Sequence, residues 1–258
     1  MRHIVSKAGL TNVSVDRRIQ SYGETGLLVT FDETEAGSAG DAVTALNHHL
    51  LDLNLRGIES TTPSYVSLLI IFDPCVMPSN RLAATLTSLL RHSGTYRSTD
   101  SQALSSPTWR LPTLFVGDGD EDAIALQSEL GLSWRQILET FCKVSFRVSA
   151  LGFLPGFTYL SGLPTELHCR RLASPRVRIP SSSVAIAGQQ AGIYPMDSPG
   201  GWRILGRLPF AIFDPTRESP ALFAPNDQIA FEPVSESLFG ELARTADNDE
   251  LNLDRFKQ

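Results

Sequence analysis

The segment Leu151-Gly-Phe-Leu-Pro-Gly-Phe-Thr-Tyr-Leu160 opens the part of the chain that decides the fold. From Leu151 to Pro215 the sequence holds eight glycines and eight prolines, close to half of the chain's 19 glycines and 16 prolines. Glycine admits backbone angles that other residues avoid, and proline fixes one angle, so this density predicts short strands joined by specified turns. Apolar and polar residues alternate at 144–149, and short apolar runs occur at 184–187 and 228–231. We therefore predict a closed or nearly closed, mostly antiparallel β-barrel.

The first half of the chain has a different pattern, in which helices alternate with strands. A turn and a short apolar run at Tyr22 to Asp32 predict a strand. The apolar residues that follow at helical spacing are Val43, Leu46, Leu50 and Leu53. The run Tyr65 to Phe72 predicts a buried strand, and Ser79 is placed to cap a second helix. The order is β-α-β-β-α, to which Arg110 to Phe115 would add a last strand, and it predicts a ferredoxin-like split βαβ domain.

The composition between the two halves marks a domain boundary. Seven of the fifteen residues from Gly94 to Thr108 are serine or threonine, and apolar residues become rare there. We therefore assign residues 1–93 to the α+β domain, 94–108 to a linker and 109–235 to the barrel domain. Residues 236–258 are polar and are expected to form a C-terminal tail.

Charge and cysteine content exclude several classes of protein. The net charge is −6, with 22 basic and 28 acidic residues, which argues against a nucleic-acid partner. No apolar run is long enough to cross a membrane, and Met1 to Ser14 lacks the apolar core of a signal peptide. The three cysteines are widely spaced, which argues against a disulfide framework or a zinc knuckle. The expected location is the reducing cytoplasm.

Familiar catalytic and metal-binding motifs are missing from the sequence. There is no phosphate-binding loop, no H-E-x-x-H pair and no G-x-S-x-G nucleophile elbow. Asp118, Asp120, Asp122 and Glu129 have the spacing of calcium ligands, but Ala123 occupies the position where the sharp turn needs glycine. We interpret these residues as a solvated acidic turn at a helix N-terminus and predict no metal site.

The glycine- and proline-rich segment also carries side chains suited to a binding pocket. Its five prominent aromatic residues are Phe153, Phe157, Tyr159, Tyr194 and Trp202. Its hydrogen-bond donors are Arg176, Arg178, Gln190 and Arg203. Together these predict an apolar wall with donors for a carboxylate or amide group. The alternative is that the aromatic residues only fill the core and that the glycines and prolines only close barrel turns.

Three motifs carry a resemblance to a known family. They read, in chain order, G-F-x-P-G-F-x-Y-L, R-L-A-S-P-R-x-R-I-P-x-x-S-V-A-I-A-G-x-Q-x-G-I-Y-P and S-P-G-G-W-R-I-L-G-R. The chain resembles the family of KipI, allophanate hydrolase subunit 1 and the B subunit of 5-oxoprolinase, a carboxyltransferase domain of the C-D type. The resemblance extends over Arg18 to Ser235 and is most specific between Leu151 and Arg207.

This resemblance implies a fold, partners and a reaction. The barrel would be cyclophilin-like. The chain would pair with a KipA-like protein, also called allophanate hydrolase subunit 2 or the C subunit of 5-oxoprolinase, and with a LamB/YcsF-type protein, the A subunit of 5-oxoprolinase. The complex would use ATP to open 5-oxo-L-proline to L-glutamate, as a hydrolase of cyclic amides, or would act as an allophanate hydrolase. The missing phosphate-binding loop suits a chain that performs only part of this work.

If the chain acts in such an amide-processing complex, we expect particular roles for individual residues. Arg178 and Gln190 would orient the substrate carboxylate or amide, and Tyr194 and Trp202 would enclose it. Backbone N–H groups of the Gly200-Gly201 turn would meet a developing oxyanion. The substrate-binding surface would be completed by Phe153, Phe157, Tyr159 and Arg203.

Two positions depart from the family pattern. Phe141 stands where relatives usually have a histidine, so no proton can be moved at that point. Gln189 replaces the usual second glycine of A-G-G-Q and adds a side chain at a turn.

Two other functions are compatible with the same resemblance. The chain would be a KipI-like inhibitor of a sensor histidine kinase if the aromatic surface is an interface instead of a pocket. It would be the carboxyltransferase half of a urea-type carboxylase if a biotinylated carrier is required.

Overall fold

A computed structural model describes residues 18–32, 39–92, 107–248 and 250–258. The chain divides into two compact units, Met1–Ser101 and Gln102–Gln258. Met1 to Ser14 and most of the predicted linker, 94–106, lie outside the described residues. Among the described helices, none combines the length and the apolar character needed to cross a membrane.

The described residues of the first unit form a four-stranded antiparallel sheet and two helices. Its elements are β1 (Ile19–Tyr22), β2 (Gly26–Thr30), α1 (Ala39–Leu53), β3 (Ile58–Ser64), β4 (Ser67–Phe72) and α2 (Ser79–His92). The sheet order is β1-β2-β4-β3. The apolar stripe of α1 and the Leu82–Leu86–Leu90 stripe of α2 are buried with alternate residues of β4, so both helices contribute to one core.

The three central strands follow the predicted split βαβ order, but the outer strand does not. Strand β4 lies between β2 and β3, which α1 connects, and the outer position beside β2 is taken by β1. The predicted domain needed a strand after the second helix, at Arg110 to Phe115, but those residues belong to the barrel. Strand β1 was missed because three of its four residues are exposed, so it carries no apolar pattern.

The second unit is built on a closed seven-stranded barrel. Its elements are β5 (Thr108–Phe115), α3 (Glu121–Leu130), α4 (Trp134–Cys142), β6 (Phe146–Leu151), β7 (Thr158–Ser161), β8 (Arg176–Ile179), β9 (Ser183–Ala187), β10 (Gln190–Ile193), β11 (Ser198–Gly200), β12 (Arg203–Arg207), β13 (Gln228–Pro233) and α5 (Glu236–Asp247). The barrel order is β10-β7-β6-β13-β5-β12-β9. Only the pairing of β13 with β5 is parallel among the described strand pairs. Strands β8 and β11 form a separate two-stranded sheet.

Local sequence signals explain the helices of this unit. Asp120 caps α3 and accepts a hydrogen bond from the Asp122 N–H at 2.9 Å. Ser133 caps α4 in a reciprocal capping box with Gln136. Gly131, which ends α3, has φ +67°, a left-handed conformation that favours glycine.

Residues 236–258, which we expected to form a polar tail, pack against the barrel. Helix α5 is followed by a 3-10 turn, Leu253–Phe256. The Phe256 ring stacks on Phe210 with 5.3 Å between ring centres. The Gln258 N–H donates to the Thr108 carbonyl at 2.8 Å. These contacts anchor the last residues beside β5.

Candidate functional site

Strand β9 separates two groups of buried side chains. Successive side chains of a strand point to opposite faces. Val184 and Ile186 belong to the large core of the barrel unit, whereas Ala185 and Ala187 belong to a second, smaller cluster. All five residues of β9 are buried, so the strand is covered on both faces.

The second cluster is formed by aromatic rings on the outer face of β9. We define the aromatic cluster as Phe157, Tyr159, Tyr194 and Trp202. The ring centre of Phe157 is 4.6 Å from that of Tyr159, 4.9 Å from Tyr194 and 5.7 Å from Trp202. Trp202 is 5% exposed and Tyr194 is 2% exposed. These distances are typical of packed aromatic pairs, so the cluster is a solid layer and not an open pocket.

Glycines make room for this packing. A Cβ atom on Gly192 would lie 3.0 Å from Trp202 Cζ3, and one on Gly200 would lie 2.5 Å from the Tyr194 hydroxyl oxygen. Gly201 has no such restriction, since its nearest heavy-atom neighbour would be 3.6 Å away. Gly201 instead contributes its carbonyl oxygen, which accepts a hydrogen bond from the Leu172 N–H at 2.7 Å. Gly200 therefore has a packing role that composition alone does not show.

Phe153 lies at the edge of the aromatic cluster. Its ring centre is 5.9 Å from that of Phe157, yet Phe153 is 74% exposed. Its φ angle is +70°, which is uncommon for a residue with a side chain. Backbone strain of this kind concentrates at functional sites, and an exposed phenyl ring is costly to keep in water. Phe153 therefore presents its ring to solvent at the edge of the aromatic cluster.

A network of charged side chains lies beside the aromatic cluster. Asp122 is almost fully buried, and its Oδ1 accepts a hydrogen bond from Arg176 Nη2 at 2.8 Å. Its Oδ2 accepts one from the Ile204 N–H at 2.8 Å, and Arg203 Nη1 lies 3.5 Å from Oδ1. Arg176 Nη1 also donates to the Trp202 carbonyl at 3.2 Å. Asp122 thus ties α3 to the start of β12.

Glu129 extends this network. Its Oε1 accepts hydrogen bonds from the backbone N–H and the side-chain Nε of Arg170, at 2.8 and 3.3 Å. Its Oε2 lies 3.9 Å from Arg203 Nη2. Burial acts to raise the pKa of Glu129, but the hydrogen bonds from Arg170 and the charges of Arg170 and Arg203 lower it overall. Glu129 is therefore held in its charged form.

The predicted acidic turn at α3 needs a correction. Asp122 and Glu129 were interpreted as solvated, but the Asp122 carboxylate is 2% exposed and both residues pair with arginines. The sequence signal for this pairing is weak, because the arginine partners follow more than forty residues later. Among the described residues, no group of three or more histidines, cysteines, aspartates and glutamates is arranged to hold a metal ion.

The other predicted donors lie apart from this network. Arg178 is largely exposed and donates from Nε to Asp197 Oδ2 at 2.7 Å. Gln190 is half-buried at the start of β10. Gln189, in the turn before it, is exposed and has no left-handed φ angle, so this turn does not require glycine at that position. The predicted donors therefore do not converge on one point.

Burial limits the chemistry available to several reactive side chains. It raises the pKa of Tyr194 to about 12, with the Arg171 charge opposing the shift. It likewise raises the pKa of Cys142 to about 11 and of Cys169 to about 12. Neither thiol forms a thiolate readily near neutral pH. Tyr194 shapes the cluster by packing and keeps its proton.

Phe141 is a core residue of the barrel unit. It is 0% exposed, and its ring centre lies 4.8 Å from Phe146 and 5.1 Å from Phe231. A histidine at this point would be surrounded by phenyl rings. The departure from the family pattern is thus accommodated by packing.

A surface cavity of about 600 Å³ lies elsewhere on the same unit, next to α4. Its apolar lining includes Val116, Trp134, Leu138 and Pro233. None of the residues predicted to bind substrate lines it. The cavity and the aromatic cluster are therefore separate features.

The fold defines an α+β protein built on a closed seven-stranded barrel, with an aromatic cluster packed outside one strand. A family model for the carboxyltransferase domain, subdomains C and D, matches residues 17–223, and the chain belongs to this family. The resemblance inferred from the three sequence motifs is therefore confirmed.

Curated relatives agree with this assignment. The chain is 41% identical over 128 residues to a protein of Escherichia coli O157:H7 that is named as the B subunit of 5-oxoprolinase. That match spans 50% of this chain and 59% of the relative. A Bacillus subtilis (strain 168) protein of the same name is 25% identical over 229 residues, which span 87% of this chain and 95% of the relative.

Solved structures resemble the chain as well. The crystal structure of TTHA0988 has a TM-score of 0.68 and 33% identity, over 81% of this chain and 40% of that protein. The urea amidolyase of K. lactis has a TM-score of 0.64 at 20% identity, over 91% of this chain and 16% of that protein. At that identity the second likeness shows the fold alone. The chain thus spans only part of these larger proteins.

Proposed function

We propose that the chain is a non-autonomous subunit of an ATP-dependent complex that opens 5-oxo-L-proline to L-glutamate. The observation that carries this proposal is its similarity to proteins named as the B subunit of 5-oxoprolinase, at 41% identity in one case and over 87% of the chain in another. A name of this kind implies partner chains. The partners we propose are a KipA-like protein and a LamB/YcsF-type protein, with ATP used on the assembled complex.

The barrel unit provides the surface for this function. We propose that it is a cyclophilin-like barrel, whose aromatic cluster forms the apolar base of the site. Arg178 and Gln190 would meet polar groups of substrate or partner at the surface, since Arg178 is largely exposed. Tyr194 and Trp202 would act by packing, because both are buried. Arg203 would act within the Asp122 network. Phe153, Gly200 and Gly201 would act at the margin of the aromatic cluster.

Reconstitution tests this proposal. The purified chain is mixed with its KipA-like and LamB/YcsF-type partners, 5-oxo-L-proline and ATP, and glutamate release is measured. We expect glutamate only when all chains are present. A complete and stably assembled complex that releases none would contradict the proposed reaction.

Exposed apolar side chains support contact with a partner chain. Phe153 is 74% exposed and Val177 is 89% exposed. Apolar side chains exposed in this way are suited to a protein interface. Under the main proposal they would meet the KipA-like protein. Under the second candidate function, inhibition of a sensor histidine kinase, they would meet the kinase.

The alternatives are separated by what co-purifies with the chain and by what the reaction needs. Retention of a kinase without any KipA-like protein would favour the inhibitor. A putative urea carboxylase of Emericella nidulans is 26% identical over 214 residues, which keeps the third candidate, a urea-type carboxyltransferase, open to test. That function would require a biotinylated carrier, whereas 5-oxoproline opening would not.

A further inference from the structure

Arg171 lies over the aromatic cluster but takes no part in the ion pairs beside it. Its guanidinium carbon is 5.8 Å from the centre of the Trp202 ring, within the range of a cation–π contact. The next residue anchors the backbone, because the Leu172 N–H donates to the Gly201 carbonyl at 2.7 Å. The Arg171 side chain is exposed to solvent. Its charge is therefore presented at a defined place on the surface.

The carboxylates of the charged network pair with arginines other than Arg171. Arg176 and Arg203 pair with Asp122, and Arg170 pairs with Glu129. Within the part of the chain that the structure describes, Arg171 forms no ion pair. Four guanidinium groups thus face two carboxylates, in a chain whose net charge is −6. This excess of positive charge among the named side chains favours an anion, in contrast to the negative net charge of the chain.

Two tyrosine hydroxyls lie within the field of Arg171. Burial raises the pKa of Tyr159 and of Tyr194, and the charge of Arg171 opposes the rise in both cases. Tyr159 is half-buried in β7, and its ring centre is 6.1 Å from that of Trp202. A guanidinium group and a partly accessible aromatic surface therefore occur side by side.

We propose that Arg171 binds the carboxylate of a small cyclic carboxylic acid, whose carbon skeleton packs against the half-buried Tyr159 ring. This inference rests on the proposed function and names Arg171 as the group that recognises the acid. A planar guanidinium group donates two parallel hydrogen bonds to a carboxylate, and a nearby aromatic wall removes the apolar part of the ligand from water. Inorganic phosphate offers the charge without the apolar part, so it is the weaker ligand.

Calorimetric titration of the full chain, alone and in the assembled complex, tests the inference. 5-Oxo-L-proline is compared with 2-pyrrolidinone, which has the same ring without the carboxylate, and with inorganic phosphate. We expect Arg171→Gln to weaken 5-oxo-L-proline binding about tenfold to hundredfold, the loss of one charge-assisted pair. Arg171→Lys keeps the charge and should retain part of the affinity.

Arg135→Gln is the matched control, because Arg135 is an exposed arginine on α4 that pairs only with Glu139 among the described residues. It should bind 5-oxo-L-proline as the unaltered chain does. Equal affinity of Arg171→Gln and the unaltered chain, absence of binding in both preparations, or equal binding of 2-pyrrolidinone or phosphate would each overturn the inference.

The same variants separate this inference from the proposed function. A complex that releases glutamate with an unchanged KM in Arg171→Gln would refute the Arg171 site and leave the proposed function standing. If binding depends on Arg171 but the complete complex releases no glutamate, the Arg171 site stands and the proposed function is refuted.

Discussion

The two faces of strand β9 pack against different kinds of side chains. On one face, Val184 and Ile186 pack into a core of aliphatic and phenyl side chains around the barrel. On the other, Ala185 and Ala187 support an aromatic cluster that borders a charged network and exposed side chains. The first face stabilises the barrel. The second lies next to Phe153, Arg171 and Arg176, so one strand lies between the barrel core and the candidate site.

The largest expected effect comes from the inner core. Phe141→Ala should lower the free energy of unfolding by about 3–5 kcal/mol, because it leaves a cavity among three other phenyl rings. All three tryptophans lie in the barrel unit, so tryptophan fluorescence during denaturant unfolding follows that unit. Phe153→Ala removes the same ring from an exposed position and should change the stability by less than about 0.5 kcal/mol. Equal effects would refute the distinction between the two faces.

The charged network should give the next largest effect. Asp122→Asn keeps the shape of the side chain but removes the negative charge that Arg176 and Arg203 share. It should lower the free energy of unfolding by about 3 kcal/mol. Asp197→Asn, which removes the exposed partner of Arg178, should cost much less. The same fluorescence measurement compares them. If Asp122→Asn is as harmless as Asp197→Asn, the network does not hold α3 to β12.

The packing of the aromatic cluster is tested by two adjacent glycines. Gly200→Ala places a Cβ atom 2.5 Å from the Tyr194 hydroxyl oxygen and should cost about 1–3 kcal/mol. Gly201→Ala meets nothing closer than 3.6 Å and should be tolerated. Denaturant midpoints of the two variants give the comparison. The reverse order of stability would show that the cluster is not packed around Gly200.

The smallest effect is a dependence on pH. The pKa of Glu129 is lowered from its usual 4.5 in the folded chain, so its pairing stabilises the fold above that value and is lost as the pH falls below it. Unfolding of the unaltered chain and of Glu129→Gln is compared between about pH 6 and about pH 3. The stability difference between them should shrink on acidification. A difference that grows would contradict the assignment.

Local patterns predicted the elements better than their arrangement. The spacing of Val43, Leu46 and Leu50 located α1, and the Ser133 cap located α4, since both signals depend on neighbouring residues. Strand β1 has no such signal, and the strand at Arg110 to Phe115 was assigned to the wrong sheet. Sheet membership depends on pairing between distant strands, which periodicity does not contain.

The candidate site was predicted in composition but not in geometry. Four of the five aromatic residues do meet in one cluster, because Gly and Pro positions set the turns that bring β7, β10 and β12 together. The donors divide: Arg176 and Arg203 pair with Asp122 beside the aromatic cluster, whereas Arg178 pairs with Asp197. Buried charges seek partners wherever the fold supplies them, and a single sequence gives no sign of such long-range pairing.

The parallel pairing of β5 with β13 also affects how the barrel forms during synthesis. Thr108 begins β5, yet its neighbour Gln228 leaves the ribosome only after all of the intervening strands. Until β13 is made the barrel cannot close, and its two edge strands, β5 and β6, are open to wrong partners. Chaperone capture, or early docking of another protein, would be most useful during this interval.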